Sequence, residues 1–340
     1  MTRIHLSNIN IWPAFMGWAA AEATGPGGNA PRDIVLLALF CALSGGSLFI
    51  VNDILDEEGD HVTAPYLPLP AGIITRKASW AWAAVYLIAA FVVLGFAAHT
   101  VPRFMLALGI MLGAVVASVA YSKVKDDGIV ASVMVTIPQT VPAVIAWIFA
   151  SGGAWWALAS IICYCVLACI SNNILAALRD VDLDASVGNM TVAIRLGAPA
   201  AYRLAAMLGF ASAIPVVVSG IVHGTWWWLP FEVFGLGVMA ANYGSTYRAM
   251  CEPDRGRLTR MADMKRFKSG EFWRHAGMVA VFSPVTALIA GAVMFTLLRG
   301  GGRVYVKRVV GGGIRRQQQA LSEGTATTAG LVAADNLERS

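Results

Sequence analysis

The stretch Ile34–Asp60, IVLLALFCALSGGSLFIVNDILDEEGD, decides how the chain is read. Its first part, Ile34 to Val51, is an uncharged and mostly apolar run close to the roughly 20 residues that a helix needs to cross a bilayer. Its second part crowds Asp53, Asp56, Glu57, Glu58 and Asp60 at the mouth of that helix. If the helix continues, Asn52, Asp56 and Asp60 stack at i, i+4 and i+8, and Asp53 joins them three residues before Asp56, giving one carboxylate face. Carboxylates held so close repel one another unless a cation lies among them, and oxygen ligands of this kind suit a hard divalent ion, Mg2+ above all. The plainer alternative is a solvated acidic cap after a membrane span. The remainder of the sequence decides between the two.

With 57% hydrophobic and 13% charged side chains over 340 residues, the chain is far more apolar than a soluble protein, whose charged fraction is about 25%. It reads as an integral membrane protein with the lipid bilayer as its surroundings. Met1 to Asn8 shows no cleavable signal pattern, so the first span is expected to stay attached. The five cysteines, Cys41, Cys163, Cys165, Cys169 and Cys251, lie mostly within apolar runs without metal-ligand spacing and read as buried thiols. A net charge of +5 is too small and too dispersed to argue for nucleic acid.

Windows of about 20 apolar residues predict an all-α, polytopic membrane helix bundle of about nine transmembrane helices, at residues 8–24, 33–52, 78–98, 103–121, 129–150, 154–178, 199–221, 226–247 and 275–298. Residues 1–298 form the membrane domain, and 299–340 read as a tail disordered after about residue 310. The connections after the even-numbered helices, Asp53–Lys77, Ser122–Gly128, Arg179–Ala198 and Arg248–Arg274, hold most of the loop lysines and arginines, whereas the opposite loops hold Arg32 and Arg103. The positive-inside rule therefore places these four connections and the N-terminus in the cytoplasm. The basic residues of the tail, from Arg299 to Arg316, run against that orientation.

The chemistry sits in those same connections. A second acidic cluster, Arg179-Asp-Val-Asp-Leu-Asp184, follows the sixth apolar run as the first followed the second. Asp180 and Asp184 lie one turn apart on a helix face, Asp182 points elsewhere and reads as solvated, and Asn173 lies on the face of Asp180 one layer deeper. An Asn at that depth serves either substrate binding or an interhelical hydrogen bond. Between the clusters, Tyr121 and Lys125 stand one turn apart, so that hydroxyl and ammonium reach one anionic oxygen. The segment Pro65-Tyr-Leu-Pro-Leu-Pro-Ala-Gly72 is stiffened by three prolines and lies as a lid over the acidic mouth, with Arg76 and Lys77 opening the next helix. Carboxylates, a lysine and a tyrosine beside a hydrophobic core imply a prenyl diphosphate, its head held through magnesium and its tail in the bilayer. Metal and lysine then stabilise the departing diphosphate, and an allylic cation forms in a dry cavity. Phe49, Tyr66, Trp80 and Tyr121 are candidates to shield it, although membrane packing explains each of them equally well.

Taken together, Asn52-Asp53-x-x-Asp56-x-x-x-Asp60, Tyr121-x-x-x-Lys125 and Asp180-x-x-x-Asp184 resemble the three signatures of the UbiA superfamily of intramembrane prenyltransferases, and Gly188 to Gly197 is similar to the stretch that follows the second acidic motif there. The resemblance covers about residues 5 to 298. It implies that Asp53, Asp56, Asp60, Asp180 and Asp184 bind magnesium diphosphate, that Asn52 supports them, and that Lys125 with Tyr121 assists diphosphate departure. The Pro65–Gly72 segment resembles the lid of homogentisate prenyltransferases. It departs from the common pattern at Ala64 and Leu67, where many members carry basic residues; His61, Arg76 or Lys77 is expected to replace that contact.

The leading functional expectation is prenyl transfer to a small aromatic acceptor, phenolic or quinone-type, with the site facing the cytoplasm of a bacterial cell membrane. The alternative within the superfamily is a terpene cyclase, which captures the cation intramolecularly and needs no acceptor. A cation-coupled transporter is less favoured, because the acids lie at helix ends and no inverted repeat is visible.

Overall fold

The structure is a computed structural model and describes residues 8–26, 31–63, 67–124, 127–186, 188–252 and 257–296. Among these residues there is no strand. Helices α1 (Asn8–Thr24), α2 (Pro31–Leu55), α3 (Glu57–Thr63), α4 (Arg76–Ala97) and α5 (Val101–Val124) are followed by α6 (Gly128–Met134), α7 (Thr136–Phe149), α8 (Trp155–Arg179), α9 (Val181–Ser186) and α10 (Val192–Leu196). The chain ends in α11 (Ala198–Ala211), α12 (Ala213–His223), α13 (Leu229–Cys251), α14 (Arg257–Phe282) and α15 (Pro284–Thr296). The 299–340 tail lies outside the described residues.

Among the described residues, six helical stretches are long and apolar enough to cross a membrane: Arg32–Leu55, Arg76–Ala97, Val101–Tyr121, Gly128–Phe149, Trp155–Arg179 and Ala198–His223. The all-α membrane architecture is therefore as expected, while the count of nine is not reproduced by length and composition. Val85, Ile88, Val92 and Phe96 of α4 and Met105, Leu106, Leu112 and Val116 of α5 are all exposed. In water such continuous apolar faces would be an aggregation liability; in lipid they are the natural outer surface.

Prolines set the helix breaks. Pro138 lacks an amide hydrogen and its ring crowds the carbonyl four residues back, that of Met134, which is the last residue of α6. Pro215 stands in the same relation to Ala211, the last residue of α11. At the third break Pro284 opens α15, and the Ser283 hydroxyl accepts the Thr286 amide at 3.2 Å as a helix cap. This break corrects the expected span 275–298, which straddles two helices. The start of α14 at Arg257 corrects the expected connection Arg248–Arg274, most of which is helix.

The chain divides into two compact units. One contains Leu39–Val93 and the end of α15; the other contains Ile9–Ala38 and Leu94–Ala292. In the first, the end of α2 packs on α4 through Ile50, Ile54, Leu69 and Ala83, and Ser47 Oγ donates to the Ala83 carbonyl at 2.9 Å. In the second, α13 and α14 form the most extensive pair, with α8 packed on α11. The α13–α14 backbones approach so closely that a Cβ built on Gly270 would lie 2.4 Å from the Gly235 carbonyl oxygen. Small residues permit this, as is usual where helices pack without a hydrophobic drive between them. Gly270→Ala is expected to cost about 1–3 kcal/mol, read as a lower thermal transition in detergent. Gly237→Ala on the open side of α13, where an added methyl meets nothing within 4 Å, is expected to be neutral or slightly stabilising.

Candidate active site

The first acidic motif keeps helical register past the end of α2. The Asp56 amide donates to the Asn52 carbonyl at 2.9 Å and the Asp60 amide to the Asp56 carbonyl at 2.8 Å, so Asn52, Asp56 and Asp60 stand on successive turns. Asn52 Nδ2 donates to Asp56 Oδ2 at 2.9 Å, which fixes that carboxylate by a hydrogen bond from its own helix. Asp53 and Asp60 line a cavity of about 110 Å³ whose other walls include Leu67, Pro70, Trp82 and Tyr86. Carboxylates thus share one small chamber with apolar and aromatic surface.

The described part of the lid, from Leu67 onward, is a compact turn rather than a loose loop. Ala71, Gly72 and Ile73 amides donate to the carbonyls of Leu67, Leu69 and Pro68 at 2.8, 3.0 and 2.9 Å, and Gly72 takes φ +63°, a conformation that costs glycine little. Leu69 anchors the turn in the α2–α4 core. Ala64, Pro65 and Tyr66 lie outside the described residues. Leu67 places an apolar side chain on the cavity wall. Arg76 Nη1 bonds Glu57 Oε2 at 3.0 Å, so Glu57 is tied to the start of α4. Lys77 and Glu58 are exposed.

The second motif is assembled at the end of α8. Asp180 caps that helix, and the Asp184 amide donates to the Asp180 carbonyl at 2.9 Å, which keeps the two one turn apart. Arg179 forks its Nε and Nη2 onto the Asp180 carboxylate, with Nε at 3.0 and 3.1 Å. Asn189 Nδ2 reaches Asp184 Oδ1 at 3.3 Å. Asp182 is not merely solvated: Arg260 Nη1, from a side chain only 3% exposed, bonds its Oδ2 at 2.6 Å. Asn173 stands with Oδ1 2.8 Å from Ser132 Oγ, an α6–α8 hydrogen bond. Tyr121 is half-buried near the end of α5; Lys125 lies outside the described residues. A Cβ on Gly128 would fall 2.2 Å from the Val192 amide nitrogen, so the start of α6 presses directly on the segment between Gly188 and Gly197.

Among the described residues no three His, Cys, Asp or Glu side chains converge tightly enough to cage an ion by themselves. Paired carboxylates one turn apart, with cavity space beside Asp53 and Asp60, nevertheless fit Mg2+, which keeps several waters and binds through one or two carboxylates together with substrate phosphates.

Sequence reasoning missed a group of buried polar residues on α14. Arg260, Asp263, Glu271 and Arg274 are all at most 9% exposed. Arg274 Nε bonds Glu232 Oε1 of α13 at 2.6 Å, its Nη1 contacts the Gly209 carbonyl of α11, and Asn172 Nδ2 of α8 donates to Glu271 Oε2 at 2.8 Å. The signal was present in the spacing: Arg260, Asp263, Phe267, Glu271 and Arg274 recur every three or four residues, a buried stripe whose polarity disguised it.

An all-helical membrane protein with two aspartate motifs, the first beside an apolar cavity, is the class that fold and site define. The family model described as the UbiA prenyltransferase family matches residues 10–265; the chain belongs to this family and is a UbiA-type prenyltransferase. It is 26% identical over 246 residues to a digeranylgeranylglyceryl phosphate synthase of Methanoculleus marisnigri, covering 70% of this chain and 81% of the relative. It is 27% identical over 208 residues to the protein of the same name from Methanoregula boonei, covering 59% and 68%. Among solved structures it is similar to a UbiA homologue from Aeropyrum pernix K1, with a TM-score of 0.60 at 15% identity over 87% of this chain and 100% of the other.

Leu69→Ala removes the anchor of the lid turn. The expected outcome is faster amide hydrogen exchange at Ala71, Gly72 and Ile73, by tenfold or more, with exchange in α8 unchanged.

Proposed function

We propose that the chain transfers a prenyl group from a prenyl diphosphate to a small aromatic acceptor, phenolic or quinone-type, in a magnesium-dependent reaction at a membrane-embedded site on the cytoplasmic side. The observation that carries the reading is the cavity in which Asp53 and Asp60 meet the lid and the rings of Trp82 and Tyr86: polar at one end for a diphosphate, apolar beside it for a prenyl carbon. In this reading Asp53, Asp56 and Asp60 of the first motif and Asp180 and Asp184 of the second hold magnesium diphosphate, and Asn52 orients Asp56. Bound magnesium neutralises charge on the departing diphosphate. Lys125 and Tyr121 supply a cation and a hydroxyl to the same leaving group, and Arg76 and Lys77 add positive charge near the lid. Asn173, bonded to Ser132, acts one layer deeper by fixing α8 against α6. The lid and the aromatic walls exclude water, which would otherwise capture the allylic cation.

A second reading concerns the acceptor. Two curated relatives are named for a digeranylgeranylglyceryl phosphate product, which supports a glyceryl phosphate hydroxyl as the alternative acceptor. Incubating membranes with geranylgeranyl diphosphate and either a phenol panel or geranylgeranylglyceryl phosphate, followed by mass analysis, separates the two. A terpene formed with no acceptor present would instead identify a cyclase.

Asp56→Ala and Asp184→Ala are each expected to abolish magnesium-dependent product formation, and undiminished turnover in both would remove the metal–diphosphate reading. Asn52→Ala deletes one hydrogen bond worth about 1 kcal/mol. It is expected to raise the magnesium concentration for half-maximal activity about fivefold, measured by titrating magnesium into metal-depleted protein.

A further inference from the structure

Glu271 is 5% exposed and sits on α14 between Lys268 and Arg274, each three residues away on the same helix face. Its Oε2 accepts a hydrogen bond from Asn172 Nδ2 at 2.8 Å. That bond locks carboxylate and amide together, and the second oxygen of each, Glu271 Oε1 and Asn172 Oδ1, is buried and accepts no hydrogen bond from any described residue. The neighbouring cation Arg274 is committed elsewhere, to Glu232 and the Gly209 carbonyl. Nearby, Tyr164 Oη lies 3.2 Å from His275 Nδ1, and the Trp12 ring packs on His275 at 5.8 Å between centroids.

Two buried oxygen acceptors side by side are costly unless a donor reaches them, because a buried polar group left unpaired loses about 1–3 kcal/mol. The carboxylate and the amide oxygen donate nothing, so the missing partner has to bring an O–H or N–H of its own. With Lys268 and Arg274 within a turn, a cationic ligand is disfavoured and a neutral hydroxyl suits the pair. Asn172 lies eight residues before Asp180 on the same α8, roughly 12 Å along its axis, toward the interior of the helix and away from the acidic end. The pair thus lies deeper along the helix that carries the second acidic motif.

We propose that Glu271 and Asn172 bind the neutral hydroxyl of the acceptor substrate, an alcohol or a phenol, through these two oxygens. The proposal rests on the transferase reading above and adds the acceptor site to it. The test compares wild type, Glu271→Gln and Asn172→Leu in transfer from geranylgeranyl diphosphate to two probes, geranylgeranylglyceryl phosphate and hydroquinone, with donor binding measured on the same preparations with and without magnesium. The expected result is donor affinity within twofold of wild type in both variants, and a KM for the preferred probe raised at least tenfold; which probe responds tells the alcohol from the phenol. Wild-type acceptor KM in both variants overturns the assignment. So does loss of donor binding in step with turnover, which would mark the pair as structural. A wild-type protein that binds donor yet uses neither probe also overturns it, whereas failure of the transferase reading shows separately, as magnesium-independent donor binding.

Discussion

The pairing of Arg274 with Glu232 is the interaction on which the packing of the larger unit depends. Both side chains are almost fully buried, and neither charge would be tolerable there alone. Breaking such a pair by removing one partner costs about 3–5 kcal/mol, since the other is left uncompensated. The guanidinium also reaches the Gly209 carbonyl, so one side chain ties α14 to α13 and α11 together. The close approach of Gly235 and Gly270 is what brings these groups into contact. Small residues and a charged pair thus act as one device: the glycines set the distance and the ions set the register.

The same economy of partners runs through the acidic ends of the helices. Asp56 is held by Asn52, Asp180 by Arg179, Asp182 by Arg260 and Asp184 by Asn189. Each carboxylate has a local donor that fixes its direction before any ligand arrives, which is what preorganised binding of a metal and a diphosphate requires. The lid adds a hydrogen-bonded turn anchored by Leu69, so the apolar wall of the cavity is built into the α2–α4 core.

Much of this was legible in the sequence, and the reasons differ from place to place. Helices α1, α2, α4, α5, α8 and α13, and the stretches α6–α7 and α11–α12, follow from apolar runs of the right length, and the motifs at Asn52–Asp60 and Asp180–Asp184 from carboxylates at helical spacing. Family membership followed from the motifs jointly. What could not be read was the partner of each charge, because pairing is a property of packing: Asp182 looked solvated, yet it meets a buried arginine, and Glu57 meets Arg76. The start of α14 was hidden for the opposite reason. Its charges resembled those of a connecting loop, and only the counter-groups on α8, α9 and α13 show that they are core residues. The break at Ser283 was written in Pro284, but a window of apolar residues averages across a proline.

The charges of α14 also bear on how the protein is made. A charged side chain buried without a counter-group is costly, and α14 carries several buried ones. The partners that Arg260, Glu271 and Arg274 take from other helices, Asp182, Asn172, Gly209 and Glu232, lie earlier in the chain. Synthesis from the N-terminus therefore lays down each counter-group before the residue that needs it, and α14 emerges into a template already waiting. Reversing that order by circular permutation, with the same contacts in the finished molecule, would ask the ribosome to deliver the charges first.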